Sequence, residues 1–309
     1  MKKIEDIKQE IKKVITGKDY IIEMILASIL AKGNILLEDV PGVGKTTLAL
    51  GLSRAMNLDY RRMQFTPDVL PSDITGFSMY NSKTQEFEYK EGIAMTNLLL
   101  ADEINRTSPK AQAALLEVME ENSVTVDGVT YQLPNPFIVI ATQNPIGYVG
   151  TQKLPESQLD RFMIKLSMGY PEQADEINIY MGTNYSALKK VNQVIDGKEL
   201  LDMREEVEKV FMNESIYGYI SDLVRSTRKK EYIELGVSPR GGIALVRMSK
   251  AIAYINDRDY VLPEDVVYCM DSVMSHRIVL SSKAKADGIT VDYVMKQVKS
   301  SVDMPKGKE

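Results

Sequence analysis

The sequence predicts an α/β fold, with a parallel sheet covered by helices on both faces and then an all-helical second domain. Three observations predict it. Short apolar strands alternate with helical patterns through the first 165 residues, the pattern of a parallel sheet. A glycine-rich stretch at residues 39–46 joins one of those strands to a helix. After about Pro171 the strand signals fade and helical periodicity takes over, which divides the chain into residues 1–170 and 171–309.

The elements follow in order. Ile21 to Lys32 has a buried-helix pattern and stops at Gly33, a good helix terminator. Asn34 to Glu38 is a short apolar strand. Beyond the glycine-rich turn, Leu48, Ala49, Leu52, Ala55 and Met56 share one helical face. Leu98 to Ala101 is a second buried strand. Ser108-Pro109 starts the next helix, serine as cap and proline in the first turn, and Leu115, Leu116 and Met119 give its apolar side. Asp127-Gly128 sits between Val124–Val126 and Val129–Tyr131, which predicts a tight hairpin whose turn needs positive φ. Phe137 to Ala141 and Met163 to Met168 are the remaining strands, and Ser238-Pro239 and Pro263-Glu264-Asp265 each start a helix of the second domain.

Composition narrows the function classes. The 309 residues are 44 % hydrophobic and 26 % charged, ordinary for a globular chain with a sizeable core. A net charge of −5 gives no global attraction to nucleic acid or an anionic membrane. Cys269 is the single cysteine, so neither an intrachain disulfide nor a thiol zinc site can form. His276, the single histidine, argues against a histidine-based catalytic or metal cluster. The most apolar stretch, Tyr20 to Ala31, is interrupted by Glu23 and is too short to span a bilayer. The start of the chain shows no apolar signal core, so a cytoplasmic location is expected.

The chemistry begins at Asp39-Val-Pro-Gly-Val-Gly-Lys-Thr46. This stretch satisfies the phosphate-loop (Walker A) pattern except that Asp39 stands where the first glycine belongs. Aspartate tolerates unusual backbone angles, which softens the departure. Gly42 and Gly44 let backbone N–H groups curl around phosphate oxygens where a Cβ would obstruct. The helix starting near Lys45 turns its positive end to the anion. Lys45 reaches the β- and γ-phosphates and Thr46 offers its hydroxyl to Mg²⁺. With Pro41, Val43 and Thr47 these residues form the candidate site for ATP or ADP.

The strand at Leu98 ends in Asp102-Glu103. There Asp102 can hold the Mg²⁺ shell, which needs only one or two protein oxygens, while Glu103 orients and polarises an attacking water. In isolation the pair also fits an ordinary strand end entering solvent. Ala141-Thr-Gln-Asn144 ends the next strand in the same way, and the Asn144 amide can hold that water, although Asn144-Pro145 also favours a plain turn. Arg161 adjoins Asp160, and surface pairing with it is the ordinary reading. Arg240 lies at the first turn of a helix, where a positive charge opposes the helix dipole; that small cost suggests an anion nearby.

With these residues in view the chain resembles the MoxR family of AAA+ ATPases over nearly its whole length. The resemblance is carried by residues 38–46, Gln64-Phe-Thr-Pro-Asp68, residues 70–76, Ala101-Asp-Glu-Ile-Asn-Arg106, Ala141 to Pro145, Leu154 to Phe162, Ser238-Pro-Arg240 and His276-Arg-Ile278. It implies Walker A at Asp39–Thr46, Walker B at Leu98–Glu103 and sensor 1 at Asn144. It further implies a trans-acting arginine finger at Arg161 and a lid arginine, Arg240, that senses the γ-phosphate in cis. Gly17 and Lys18 fall where the family has a short box beside the adenine, residues 76–92 match its helix-2 insert, and residues 124–133 its pre-sensor-1 hairpin. A hexameric ring is implied, with an isolated subunit a poor ATPase. Chaperone-like remodelling or maturation of a client is also implied, the client in several cases carrying a von Willebrand factor type A domain. Residues 146–153 depart from the family pattern, which bears on subgroup and client. A nucleic-acid-stimulated motor and a non-hydrolysing nucleotide-dependent scaffold are the alternatives; the acidic balance speaks against the first, and Glu103 with Asn144 against the second.

Overall fold

The computed structural model describes residues 2–40, 42–145, 150–181, 187–229 and 231–305. The chain opens with α1 (Lys2–Lys12) and α2 (Asp19–Leu30), then β1 (Ile35–Glu38), α3 (Lys45–Ala55), β2 (Tyr60–Gln64), α4 (Pro71–Thr75), β3 (Gly76–Asn81) and β4 (Glu86–Glu91). It continues through β5 (Leu98–Asp102), α5 (Pro109–Glu121), β6 (Ser123–Val126), β7 (Val129–Gln132), β8 (Ile138–Gln143), α6 (Glu156–Leu159) and β9 (Ile164–Leu166). The remainder runs α7 (Gln173–Tyr180), α8 (Gly197–Lys209), α9 (Glu214–Ser226), β10 (Ile233–Leu235), α10 (Pro239–Ile255), α11 (Pro263–Met274), β11 (Val279–Leu280), α12 (Ser282–Ala286) and α13 (Val291–Ser300).

Five strands form one sheet in the order β2-β5-β8-β1-β9, every pair parallel. β5 and β8 are buried along their whole length, which is why they read as unbroken apolar runs. Alternation along the strands splits the core in two. Ile35, Leu37, Leu98, Leu100, Ile138 and Ile140 join α1, α2 and α3 on one face, and that cluster continues into the helices of the second half. Leu36, Leu99, Ala101, Val139 and Ala141 pack against α5, Phe65 and Phe162 on the other. The carboxyl ends of β1, β5 and β8 therefore come together, the place where open parallel sheets bind ligands.

Local chemistry sets the details. Ser108 caps α5, its Oγ accepting from the Ala111 amide at 3.3 Å. Asp127 and Gly128 take φ of 49° and 79° between β6 and β7, the hairpin turn that the sequence predicts. β3 and β4 form a second hairpin over 76–91, and Tyr89 on it stacks on Tyr131 of β7 with centroids 4.0 Å apart. Tyr80 and Phe87 near the tip of that second hairpin are exposed.

Several expectations change. Gly33 does not end α2 by taking a left-handed conformation; Lys32 does, at φ 58°. Gly33 instead leaves room for Met163, whose Cβ would lie 2.4 Å from any side chain there. α1 and β2 were not anticipated. The second half is not purely helical, because β10 and β11 pair as a short antiparallel ribbon. Among the described residues, no helix is long and apolar enough to cross a membrane.

Candidate nucleotide site

The loop between β1 and α3 is shaped by two glycines. Gly42 and Gly44 have φ of 89° and 94°, and a Cβ on Gly42 would meet nothing within 4 Å, leaving an open cradle. α3 begins at Lys45 with no side-chain cap, so its first amides remain available to an anion. The Lys45 ammonium donates to the Asp39 carbonyl at 3.0 Å. Burial pushes its pKa down, opposed by the carboxylates of Asp102, Asp39 and Glu103. Pro41 lies outside the described residues, and Val43 packs on the core.

Asp39 does not occupy the first glycine position by adopting glycine-like angles. Its buried carboxylate accepts from Ser167 Oγ at 2.8 Å and from the amides of Met168 and Gly169 at 2.6 and 3.0 Å. The aspartate thus ties the start of the loop to the segment after β9.

At the tip of β5 one hydroxyl organises both acids. Thr142 Oγ1 donates to Asp102 Oδ1 at 2.6 Å and accepts from the Glu103 amide at 2.9 Å. Glu103 stands in left-handed backbone at φ 59°, a conformation that costs a non-glycine residue roughly 1–2 kcal/mol and is common at functional sites. Asn144 Nδ2 donates to Glu103 Oε1 at 3.1 Å, and Arg106 to Oε2 at 2.8 Å. Asn105 holds the Asn144 backbone, its amide donating to the Asn144 carbonyl at 3.0 Å. The Asn144 Oδ1 is buried and has no partner among the described residues. A cavity of about 330 Å³ brings together Gly42, Gly44, Lys45, Thr46, Thr47, Asp102, Glu103 and Asn144.

These residues fit a Mg²⁺-nucleotide. The cradle at Gly42 is open, α3 is uncapped, and Asn144 carries an unused acceptor. No group of three or more metal-binding side chains occurs among the described residues, but a Mg²⁺ ion that keeps several waters needs few protein oxygens, which Thr46 and Asp102 would supply.

Arg62 and Gln64, which no sequence pattern marks as site residues, line the same cavity. Arg62 donates to Asp102 Oδ2 at 2.6 Å. Both sit on β2, a polar edge strand with no apolar alternation to reveal it.

Lys18 and Gly17 lie beside the loop rather than on the phosphate cavity. Lys18 Nζ donates to the Tyr170 carbonyl at 3.0 Å, and a Cβ on Gly17 would lie 2.8 Å from the Asp175 carboxylate. Ile15, just before them, reaches within 3.3 Å of the Cβ position of Gly44. Residues 146–149 of the departing loop lie outside the described residues. Cys269 is fully buried with its thiol pushed up to about 12, and His276 is buried and held neutral, so neither is poised for chemistry at neutral pH.

The two arginines meet on one carboxylate. Arg161 pairs with Glu120 on α5, not with its neighbour Asp160. Arg240 donates to the other oxygen of the same carboxylate at 2.7 Å. Neither is among the residues that line the phosphate cavity. α10 is anchored at its first turn. Ser238, its cap, donates to Asp160 Oδ2 at 2.9 Å. The buried Arg277 donates to Asp160 Oδ1 at 2.8 Å and to the Phe162 carbonyl at 2.6 Å. The first turn of α10 is thereby docked on residues 160–162, beside Arg161.

Known proteins share this plan. The family model for the ATPase family associated with various cellular activities (AAA) matches residues 34–164, and the AAA lid domain matches residues 225–298. An uncharacterized Bacillus subtilis protein, YeaC, is 48 % identical over 96 % of this chain and 93 % of its own. The chaperone MoxR1 of Mycobacterium tuberculosis is 39 % identical over 96 % of this chain and 81 % of its own. A solved Cytophaga hutchinsonii structure, provisionally assigned as an ATPase, superposes with a TM-score of 0.91 at 40 % identity, covering 99 % of this chain and 96 % of that one. A parallel sheet ending in a phosphate loop, an Asp-Glu pair and an asparagine, followed by the lid, makes this chain a member of the MoxR family of AAA+ ATPases.

Proposed function

We propose that the chain is a Mg²⁺-dependent ATPase that works in the cytoplasm as a ring of like subunits, hexameric by its resemblance, and couples ATP binding and hydrolysis to remodelling or maturing a partner protein. In this proposal residues 1–170 hold the nucleotide and residues 171–309 form the lid. The observation that carries it is the meeting of Lys45, Thr46, Asp102, Glu103 and Asn144 on one cavity, with the Asn144 amide 3.1 Å from the Glu103 carboxylate.

The loop amides and Lys45 bind the phosphates. Mg²⁺, if held by Thr46 and Asp102, would supply charge neutralisation at the phosphates. Glu103 accepts a hydrogen bond from the attacking water and takes its proton, while Asn144 fixes the carboxylate and offers its free Oδ1 to the same water. Arg161 completes the site of an adjacent subunit. Arg240 of the lid senses the γ-phosphate of its own subunit. Head-to-tail use of one subunit's arginines by the next closes a ring when the rotation closes.

A client role draws support from the name of the mycobacterial relative, a chaperone, and from the aromatic hairpin tip at Tyr80 and Phe87. A partner with a von Willebrand factor type A domain is the proposed client class; the acidic balance does not favour nucleic acid. Titration of a slowly hydrolysed ATP analogue with Mg²⁺ tests the nucleotide site. Wild-type protein should bind it, and Lys45→Ala should lose binding by about 10²-fold or more. Equal binding by the two proteins would place the nucleotide elsewhere.

A further inference from the structure

At the opposite end of the sheet from the phosphate loop lies a second polar cavity of about 320 Å³. Its floor holds Arg204 of α8, which is only 4 % exposed. The Nε of Arg204 donates to the Ile29 carbonyl near the end of α2 at 2.9 Å. Capping that helix end employs one N–H and gains from the helix dipole, but leaves both terminal nitrogens of the guanidinium without a protein partner among the described residues. Among the described residues no carboxylate compensates the charge, and burial pushes its pKa down to about 10. The acid one turn further on, Glu208, is engaged by Lys32 at 2.5 Å.

The walls repeat the pattern. Lys32, Asn34, Asn122, Gln132 and Asn135 line the space, and no aspartate or glutamate does. In a chain with 43 acidic residues against 38 basic ones, an enclosed polar space that excludes acids is selective in character. The side chains of Asn122, Gln132 and Asn135 are exposed at the mouth. An uncompensated buried cation is costly, and amide N–H groups around it are what an oxyanion requires.

We propose that this cavity binds a small oxyanion, phosphate or carboxylate, on the terminal nitrogens of Arg204, with the amides of Asn122, Gln132 and Asn135 closing over it. Its volume is at the small end of ligand sites, which a compact anion suits. The mouth is the joint between α5 and the β6–β7 hairpin, where the Asn122 carbonyl accepts from the Leu133 amide at 3.1 Å. An anion there stiffens the base of that hairpin.

The test uses the full chain carrying Lys45→Ala, so that the phosphate loop does not compete. Calorimetric titration with sodium phosphate, and separately with sodium succinate, is run in chloride of matched ionic strength. At least one anion should bind with a single-site isotherm, and which one does identifies the class. Adding Arg204→Met should weaken binding by about tenfold or more. If that variant does not fold, Gln132→Ala with Asn135→Ala, both exposed, should weaken it by about threefold or more. Absence of heat with both anions, or an affinity unchanged by whichever variant folds, overturns the proposal. The outcome is independent of ATP turnover.

Discussion

The phosphate cavity balances Lys45 and Arg62 against Asp102 and Glu103, whereas the Glu120 cluster sets two arginines on one acid. In the first, each acid is already answered within the chain: Asp102 by Thr142 and Arg62, Glu103 by Asn144 and Arg106. In the second, two arginines share one carboxylate, Arg161 and Arg240 on Glu120. On the proposed function one subunit carries parts of two sites: the sheet tip holds its own nucleotide, and Arg161 at Glu120 serves a neighbour.

That comparison can be broken or sharpened by mutation. The largest effect is expected for Arg161→Ala, which should lower turnover by about 10³-fold or more while leaving nucleotide affinity of the isolated subunit unchanged; steady-state phosphate release beside a binding titration separates the two. Glu103→Gln should slow turnover by about 10²-fold or more with ATP affinity retained, and unchanged turnover removes Glu103 from the chemistry. Arg277→Ala strips the buried partner from Asp160 and should cost about 3–5 kcal/mol in urea unfolding; a loss within error would mean that α10 is anchored otherwise. The smallest effect is expected for Glu120→Gln. Both of its ion pairs are partly exposed, so stability should move by less than about 1 kcal/mol. Turnover should rise severalfold at protein concentrations below full assembly, because the arginines are no longer held in the free subunit.

Much of the nucleotide half is legible in the sequence because it is local. The strand–loop–helix at 35–55, the apolar strands ending in Asp102 and Gln143, the Ser108 cap and the Asp127-Gly128 turn each depend on neighbouring residues. What was not legible depends on distant ones. β2 is Tyr-Arg-Arg-Met-Gln, with no alternation to mark it, and it exists because β5 pairs with it. Arg62 matters only once that pairing brings it to Asp102. The role of Asp39 as an acceptor for residues 167–169 is set across the chain from the loop itself. Arg240 follows the same rule, since Asp160 and Arg277 fix its helix. α1 is a different case: Ile4, Ile7 and Ile11 recur at helical spacing and are buried, so its apolar face is written in the local sequence.

The central claim is that the arginine half of one subunit serves the nucleotide half of another, and a mixing measurement tests it most directly. Arg161→Ala and Lys45→Ala proteins are each assayed alone for phosphate release and then together in equal amounts. The account predicts two nearly inactive proteins and a mixture that regains turnover at roughly a quarter of its interfaces, where an intact loop meets an intact arginine. A mixture no more active than its parts, or Arg161→Ala protein as active as wild type, contradicts it.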